Sequence, residues 1–306
     1  MKKKLSVALS AVLLGLSVLT GCGGQAAKTT GKEVAVTEVA KEETPAPTAE
    51  EVKTEDKKTI IFGAAPGPYG DMVKYAIKPG LEAKGYTVEI KEFSDYVQPN
   101  LALANGDIDA NIFQHQVYLE NFAKEHKLEI THIINIPTAA LAFYSNKFKS
   151  IEEVKEGSVL TIPNDVTNLT RALKQAQKAG LLKIDENADK ATFSEKNVTE
   201  NLLNLKITPV EAAQLPRTLD SSDLAAIPGN YAIAAGIDLR TALYTEQLTE
   251  EYKNLIAVKN SDLDAQFVKD IKEVVESEAF QKVIESEDHL FSGFQKPDWY
   301  KTKWGK

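Results

Sequence analysis

From residue 58 onward, short β-branched runs alternate with stretches of helical periodicity, and this alternation constrains the fold more than any other feature of the chain. Strand-like segments stand at 59–63, 86–93, 108–113, 130–136, 158–162, 205–208, 224–227 and 254–258, with a further apolar segment at 141–144. Helical patterns fall at 71–84 with a bend near Pro79, at 118–127, at about 168–179, from Tyr231 onward, at 264–276 and at 279–285. A βαβα order implies a mostly parallel sheet covered on both faces. Ligands of such sheets bind at the carboxyl ends of the strands. The stretch can form one large domain or two lobes, and no internal repeat is visible in it. Trp299 and Trp304 are placed to fasten the C-terminal tail onto the body.

The run 158–173 carries the sharpest local signal. A strand at 158–162 stops at Pro163, and Asn164, Asp165 and Thr167 offer oxygens to cap a following helix, which Gly180 ends. A helix starting near Asn168 puts Arg171 in its first turn, among unsatisfied N–H groups. A cation there is mildly unfavourable unless an anion docks, and a guanidinium can grip a carboxylate with two parallel hydrogen bonds. The alternative is that Arg171 lies on the surface or pairs with a nearby acid.

Other strand ends carry polar and aromatic groups. The turn Gly63-Ala64-Ala65-Pro66-Gly67-Pro68-Tyr69-Gly70 has glycines where a dinucleotide fingerprint would, with Glu89 or Glu92 at a ribose-like distance. Its spacing is wrong, however, and two prolines remove amides that should face a pyrophosphate. Tyr96 follows the second strand, while Phe113, His115 and Tyr118 follow the third. Aromatic walls would clasp an apolar group, and His115 with nearby amides would hold polar atoms. Asn230 and Tyr231 add an amide and a phenol after the strand at 224–227, whereas Arg217 reads as a surface residue of a helical turn at 211–220 broken at Pro216.

The N-terminus is different in kind. Lys2, Lys3 and Lys4 precede an apolar run at 5–19, and small residues lead into Cys22, the one cysteine of the chain. The basic segment and short apolar core read as a secretory signal rather than a membrane span. The small residues before Cys22 resemble the bacterial lipoprotein processing box, which implies cleavage after Gly21 and acylation of Cys22; a free thiol is the alternative. Loss of residues 1–21 moves the net charge from −8 to −11, which argues against a nucleic-acid partner. Residues 22–57 lack aromatics and form a tether with a reach of about 35 Å.

No Gly-x-Ser-x-Gly, His-Glu-x-x-His, Cys-x-x-Cys or Walker pattern occurs, and the four histidines lack metal-ligand spacing. Asp107 and Asp109 have no partner acid. These patterns point to neither an enzyme nor a metal or other cofactor.

The ordered segments Asp95-Tyr96-Val97-Gln98-Pro99-Asn100, Gly106-Asp107-Ile108-Asp109-Ala110-Asn111, Phe113-Gln114-His115, Ile162-Pro163-Asn164-Asp165, Thr167-Asn168, Arg171-Ala172-Leu173, Glu211-Ala212-Ala213-Gln214-Leu215-Pro216-Arg217 and Asn230-Tyr231-Ala232 resemble the NlpA/MetQ family of lipoproteins. Its members are substrate-binding components of methionine-type ABC importers. The resemblance implies a two-lobed periplasmic-binding-protein-like α/β fold, with two crossover segments and a ligand cleft between the lobes. It places one lobe at 58–138 and 229–306 and the other at 139–228. It further implies that Arg171 takes a ligand carboxylate, Asn168 a neighbouring polar atom, and Tyr96, Phe113 and His115 the side-chain pocket. Tyr118, Tyr144, Asn230 and Tyr231 complete the expected ligand-binding set. The implied partners are a small amino acid such as methionine, an ABC permease and its ATPase, and the extracytoplasmic face of a bacterial membrane through the lipid anchor. Two positions depart from the pattern: Pro228 stands where methionine binders usually have Asn, and Val166 stands for Pro. Pro228 offers neither a side-chain amide nor an N–H, a loss Asn230 could compensate.

Overall fold

The computed structural model describes residues 57–188 and 193–305. The leader at 1–21, Cys22 and the tether up to residue 56 lie outside the described residues.

Two five-stranded sheets frame the protein. The first has the order Thr87–Glu92, Thr59–Ala64, Ala110–His115, Asn254–Lys259, Ile130–Asn135. The second has the order Tyr244–Thr245, Ala142–Tyr144, Leu224–Ile227, Val159–Pro163, Lys206–Val210. Both are mixed rather than mostly parallel. Thr59–Ala64 runs parallel to both neighbours, but Asn254–Lys259 inserts between Ala110–His115 and Ile130–Asn135 and is antiparallel to each. That strand arrives after the chain has crossed to the second sheet and returned, so it enters from the opposite end. The crossings occupy residues 136–141 and 246–253. The pairing of Tyr244–Thr245 with Ala142–Tyr144 keeps the chain on the second sheet well past the boundary expected at 228.

Period-two alternation explains how each sheet is covered. In Asn254–Lys259, Ile256 and Val258 face a core shared with Phe267, Ile271 and Phe280, while Leu255 and Ala257 face Leu103, Ile108 and Leu119. In Leu224–Ile227, Leu224 and Ala226 pack with Leu169 and Leu173, whereas Ala225 and Ile227 pack with Tyr231 and Leu215. Strands buried on both faces read as continuous apolar runs, which is why these two were visible in the sequence. The bend expected near Pro79 takes the form of a wide π turn, Val73–Ile77, between α-helical Pro68–Met72 and Lys78–Ala83. Proline cannot donate to the carbonyl four residues back, and its ring crowds that carbonyl. At the tail, Tyr300 is fully buried and Trp299 Nε1 donates to the carbonyl of Asn135 at 2.7 Å.

One residue reaches both crossings, which are also joined directly by the bond from Glu246 N to Leu141 O at 3.1 Å. Thr138 and Gln295 exchange backbone hydrogen bonds of 3.0 Å. The Gln295 amide then donates to Glu246 O at 2.6 Å and accepts from Leu248 N at 2.8 Å. Beside this strut Gly229 lies so close to the first crossing that a β-carbon would stand 2.6 Å from Ala139 Cβ and 2.7 Å from its carbonyl oxygen. Gly229→Ala should therefore cost about 1–3 kcal/mol, as overpacking against backbone does, read as a lowered urea midpoint at unchanged slope.

Candidate functional site

The helix that bears the principal candidate begins earlier than expected. It spans Val166–Lys178, with Asp165 as N-cap accepting the Asn168 N–H at 2.9 Å. Arg171 is thus in the second turn, away from the unsatisfied amides, one of which Asp165 already occupies. The guanidinium therefore stands apart from the helix terminus. At the other end Gly180 has φ 77°, its N–H bonds Gln177 O and that of Leu181 bonds Ala176 O, the doubly bonded left-handed close that glycine favours.

Arg171 is buried, and a nearby acid does pair with it. Its Nε donates to both carboxylate oxygens of Glu246, at 3.0 and 2.8 Å, and its Nη2 lies 2.6 Å from Glu246 Oε2. Nη1 turns the other way, donating to Asn168 Oδ1 at 3.3 Å, and the guanidinium lies 5.2 Å from the centre of the Tyr252 ring. Arg171 nevertheless lines a cavity, together with Asn168, Pro228, Gly229 and Asn230 on one side and Tyr69, Tyr96, Phe113, Gln114, His115 and Tyr118 on the other. Ala139 and Asn254, beside the two crossings, close it. Groups borne by both lobes therefore share one chamber.

The aromatic wall comes from neighbouring strand ends, as the βα order implied. Phe113, Gln114 and His115 end the strand Ala110–His115, and His115 also caps the helix Gln116–His126 by accepting the Tyr118 N–H on Nδ1 at 3.1 Å. That bond puts the imidazole proton on Nε2, which stands 3.1 Å from Asn168 Oδ1. Burial, reinforced by the Arg171 charge, pushes the His115 pKa down to about 3, so the ring is neutral. Tyr96 stacks on Phe113 with centroids 5.7 Å apart, and Tyr118 meets both edge-on. The Tyr96 hydroxyl donates to Asn230 Oδ1 at 2.6 Å, and burial holds its phenol well above the ordinary range.

Asn230 cannot freely replace the amide missing at Pro228. Its Oδ1 serves Tyr96, and its Nδ2 donates to Pro66 O at 3.0 Å. Two expected residues are not in the lining. Tyr231 stands behind Tyr96, ring centroids 4.9 Å apart, and reaches Ser94 O. Tyr144 is buried with it in an apolar cluster and borders a second cavity instead. No residue of the strand Ala142–Tyr144 lines the chamber, whereas Tyr231 directly follows Asn230, which does. Arg217 is exposed, as expected.

Sequence reading missed Tyr69, Gln114, Asn254 and Glu246. Gln114 belongs to a buried amide set in which it exchanges hydrogen bonds with Asn100, at 2.8 and 2.6 Å, and bonds Asn111 at 3.0 Å. The run Phe113-Gln114-His115 hinted at it. Glu246 lies 75 residues from Arg171, and no local pattern joins them.

Comparison with known proteins agrees with this architecture. The family model described as NlpA lipoprotein matches residues 60–299. The D-methionine-binding lipoprotein MetQ of Escherichia coli K12 is 36% identical over 247 residues, covering 80% of this chain and 90% of that protein. That of Yersinia pestis is 33% identical over 297 residues, 96% of this chain and 98% of its own. Among solved structures, a nutrient-binding protein from Burkholderia cenocepacia bound to methionine superposes with a TM-score of 0.72 at 37% identity, over 76% of this chain and 97% of that one. With a two-lobed α/β frame, a chamber lined from both lobes and matches of this extent, the chain belongs to the NlpA lipoprotein family.

Proposed function

We infer that the protein is the substrate-binding lipoprotein of an ABC importer, capturing methionine or a related small amino acid and delivering it to a membrane permease and its ATPase. The observation that carries this reading is Arg171, a buried guanidinium on the wall of a chamber whose opposite wall is aromatic. Arg171 meets the ligand carboxylate, Asn168 a neighbouring polar atom, and Tyr96, Phe113, His115 and Tyr118 enclose the ligand side chain. The methionine-binding relatives and the methionine-bound Burkholderia structure support that ligand class. Closure of the two lobes presents the surface that docks on the permease. Acylation at Cys22 and the tether hold the body at the extracytoplasmic face of the membrane, a location the lipoprotein relatives support. The reading assigns no catalytic step and no cofactor.

Calorimetry against the twenty amino acids in both chiralities, with methionine-containing dipeptides, tests it. Saturable one-to-one binding of methionine or a close relative, with the ligand recovered unchanged, is the expected result. No heat with any of them, or turnover of the compound, would sink the reading.

A further inference from the structure

Three buried or half-buried charges surround the chamber. Glu246, 1% exposed, stands behind Arg171 and is not part of the lining. It occupies the Nε–Nη2 edge of the guanidinium, and it also accepts from Gln175 Nε2 at 3.2 Å. Only the Nη1 side is left turned toward Asn168 and the chamber. The third charge is Asp165, which accepts from Thr167 Oγ1 and from the backbone and side chain of Asn168. Among the described residues the lining itself holds no carboxylate, and His115 is neutral. The surroundings of the chamber thus carry no net positive charge, although its most prominent polar group is an arginine.

An unpaired guanidinium in a dry site attracts any small anion strongly, whereas one already matched by a carboxylate at 2.6 Å does not. A monoanion entering this chamber gives up its hydration and meets no net opposite charge. A zwitterion brings its own cation, which Glu246 and Asp165 favour. We propose that Glu246 is the specificity-determining residue of the site, cancelling the charge of Arg171 from behind so that the chamber admits net-neutral amino acids and rejects small organic monoanions. The proposal deepens the transport reading and rests on it for the site.

The test compares methionine with 4-(methylthio)butanoate, which is methionine with hydrogen in place of the ammonium group, by calorimetry on the wild type, Glu246→Gln and Glu246→Asp. The wild type should bind the anion at least tenfold more weakly than the amino acid. Glu246→Gln should shift the ratio of affinities toward the anion by tenfold or more, while Glu246→Asp, which keeps the charge, should stay near the wild-type ratio. An unchanged ratio in Glu246→Gln overturns the proposal. Should that variant fail to fold, the wild type still decides, since equal or tighter binding of the anion overturns it too. The arms separate the two claims. A wild type that binds no amino acid removes the transport reading, while gain of anion binding on losing the Glu246 charge is read independently of it.

Discussion

Arg171→Ala should lower the stability of the folded chain by about 3–5 kcal/mol, the cost of stranding one partner of a buried ion pair. The magnitude follows from what is left behind. Glu246 is 1% exposed and would lose the Nε and Nη2 donors together, keeping only Gln175. The Tyr252 ring would lose its cation, and Asn168 one of its partners. Arg171→Met combined with Glu246→Leu should recover most of that loss, because removing both charges removes the desolvation cost along with the attraction. Urea unfolding of the two variants checks this, and a single variant within 1 kcal/mol of wild type would show that the Arg171–Glu246 pair does not hold the fold. The paired variant also separates folding from binding. It should fold near the wild-type midpoint yet fail to hold a carboxylate ligand, whereas the single variant alone could lose binding merely by unfolding.

That pairing also shows where sequence reasoning reaches its limit. Strands buried on both faces, such as Leu224–Ile227 and Asn254–Lys259, announce themselves as apolar runs, and Asp165 and Gly180 mark their helix by local chemistry. The aromatic wall was legible for the same reason, since Phe113, His115 and Tyr118 sit within six residues at one strand end. Topology was less so. Nothing local in Asn254–Lys259 says that it returns from another sheet and pairs antiparallel between two earlier strands. The helix Gln98–Asn105 also escaped notice, because Gln98-Pro99-Asn100 looks like a turn until proline is recognised as a first-turn helix residue. Tyr231 lies outside the lining by side-chain direction, since its neighbour Asn230 faces the chamber, whereas Tyr144 lies outside it by location, on a strand that does not border the chamber. Glu246 depends on the return crossing, so it became visible only in three dimensions.

His115 should make the folded chain acid-labile. In the unfolded chain it takes up a proton near its ordinary pKa of about 6.5, but in the folded protein burial first, and the Arg171 charge second, hold it neutral down to about pH 3. Its contribution is therefore complete above about pH 6.5 and is withdrawn as the pH falls toward 3, by up to about 1.4 kcal/mol for each pH unit within that window. The geometry leaves the proton no easy place. Nδ1 already accepts the Tyr118 N–H at 3.1 Å and Nε2 faces Asn168, while the rings of Tyr118 and Tyr252 stand edge-on beside it. Carboxylates complicate the acid end. Asp223, Asp270 and Asp298 have lowered pKa values and add stability that is lost below about pH 4, whereas burial raises Asp165, which acts in the opposite sense. The difference between wild type and His115→Gln cancels those shared terms. Measured by urea unfolding between pH 7 and 5, that difference should shrink steadily with acidification if His115 is the group concerned; parallel curves would assign the acid sensitivity elsewhere. Because the folded ring stays neutral throughout that interval, ligand affinity should be flat between pH 7 and 5 while the stability of the wild type falls.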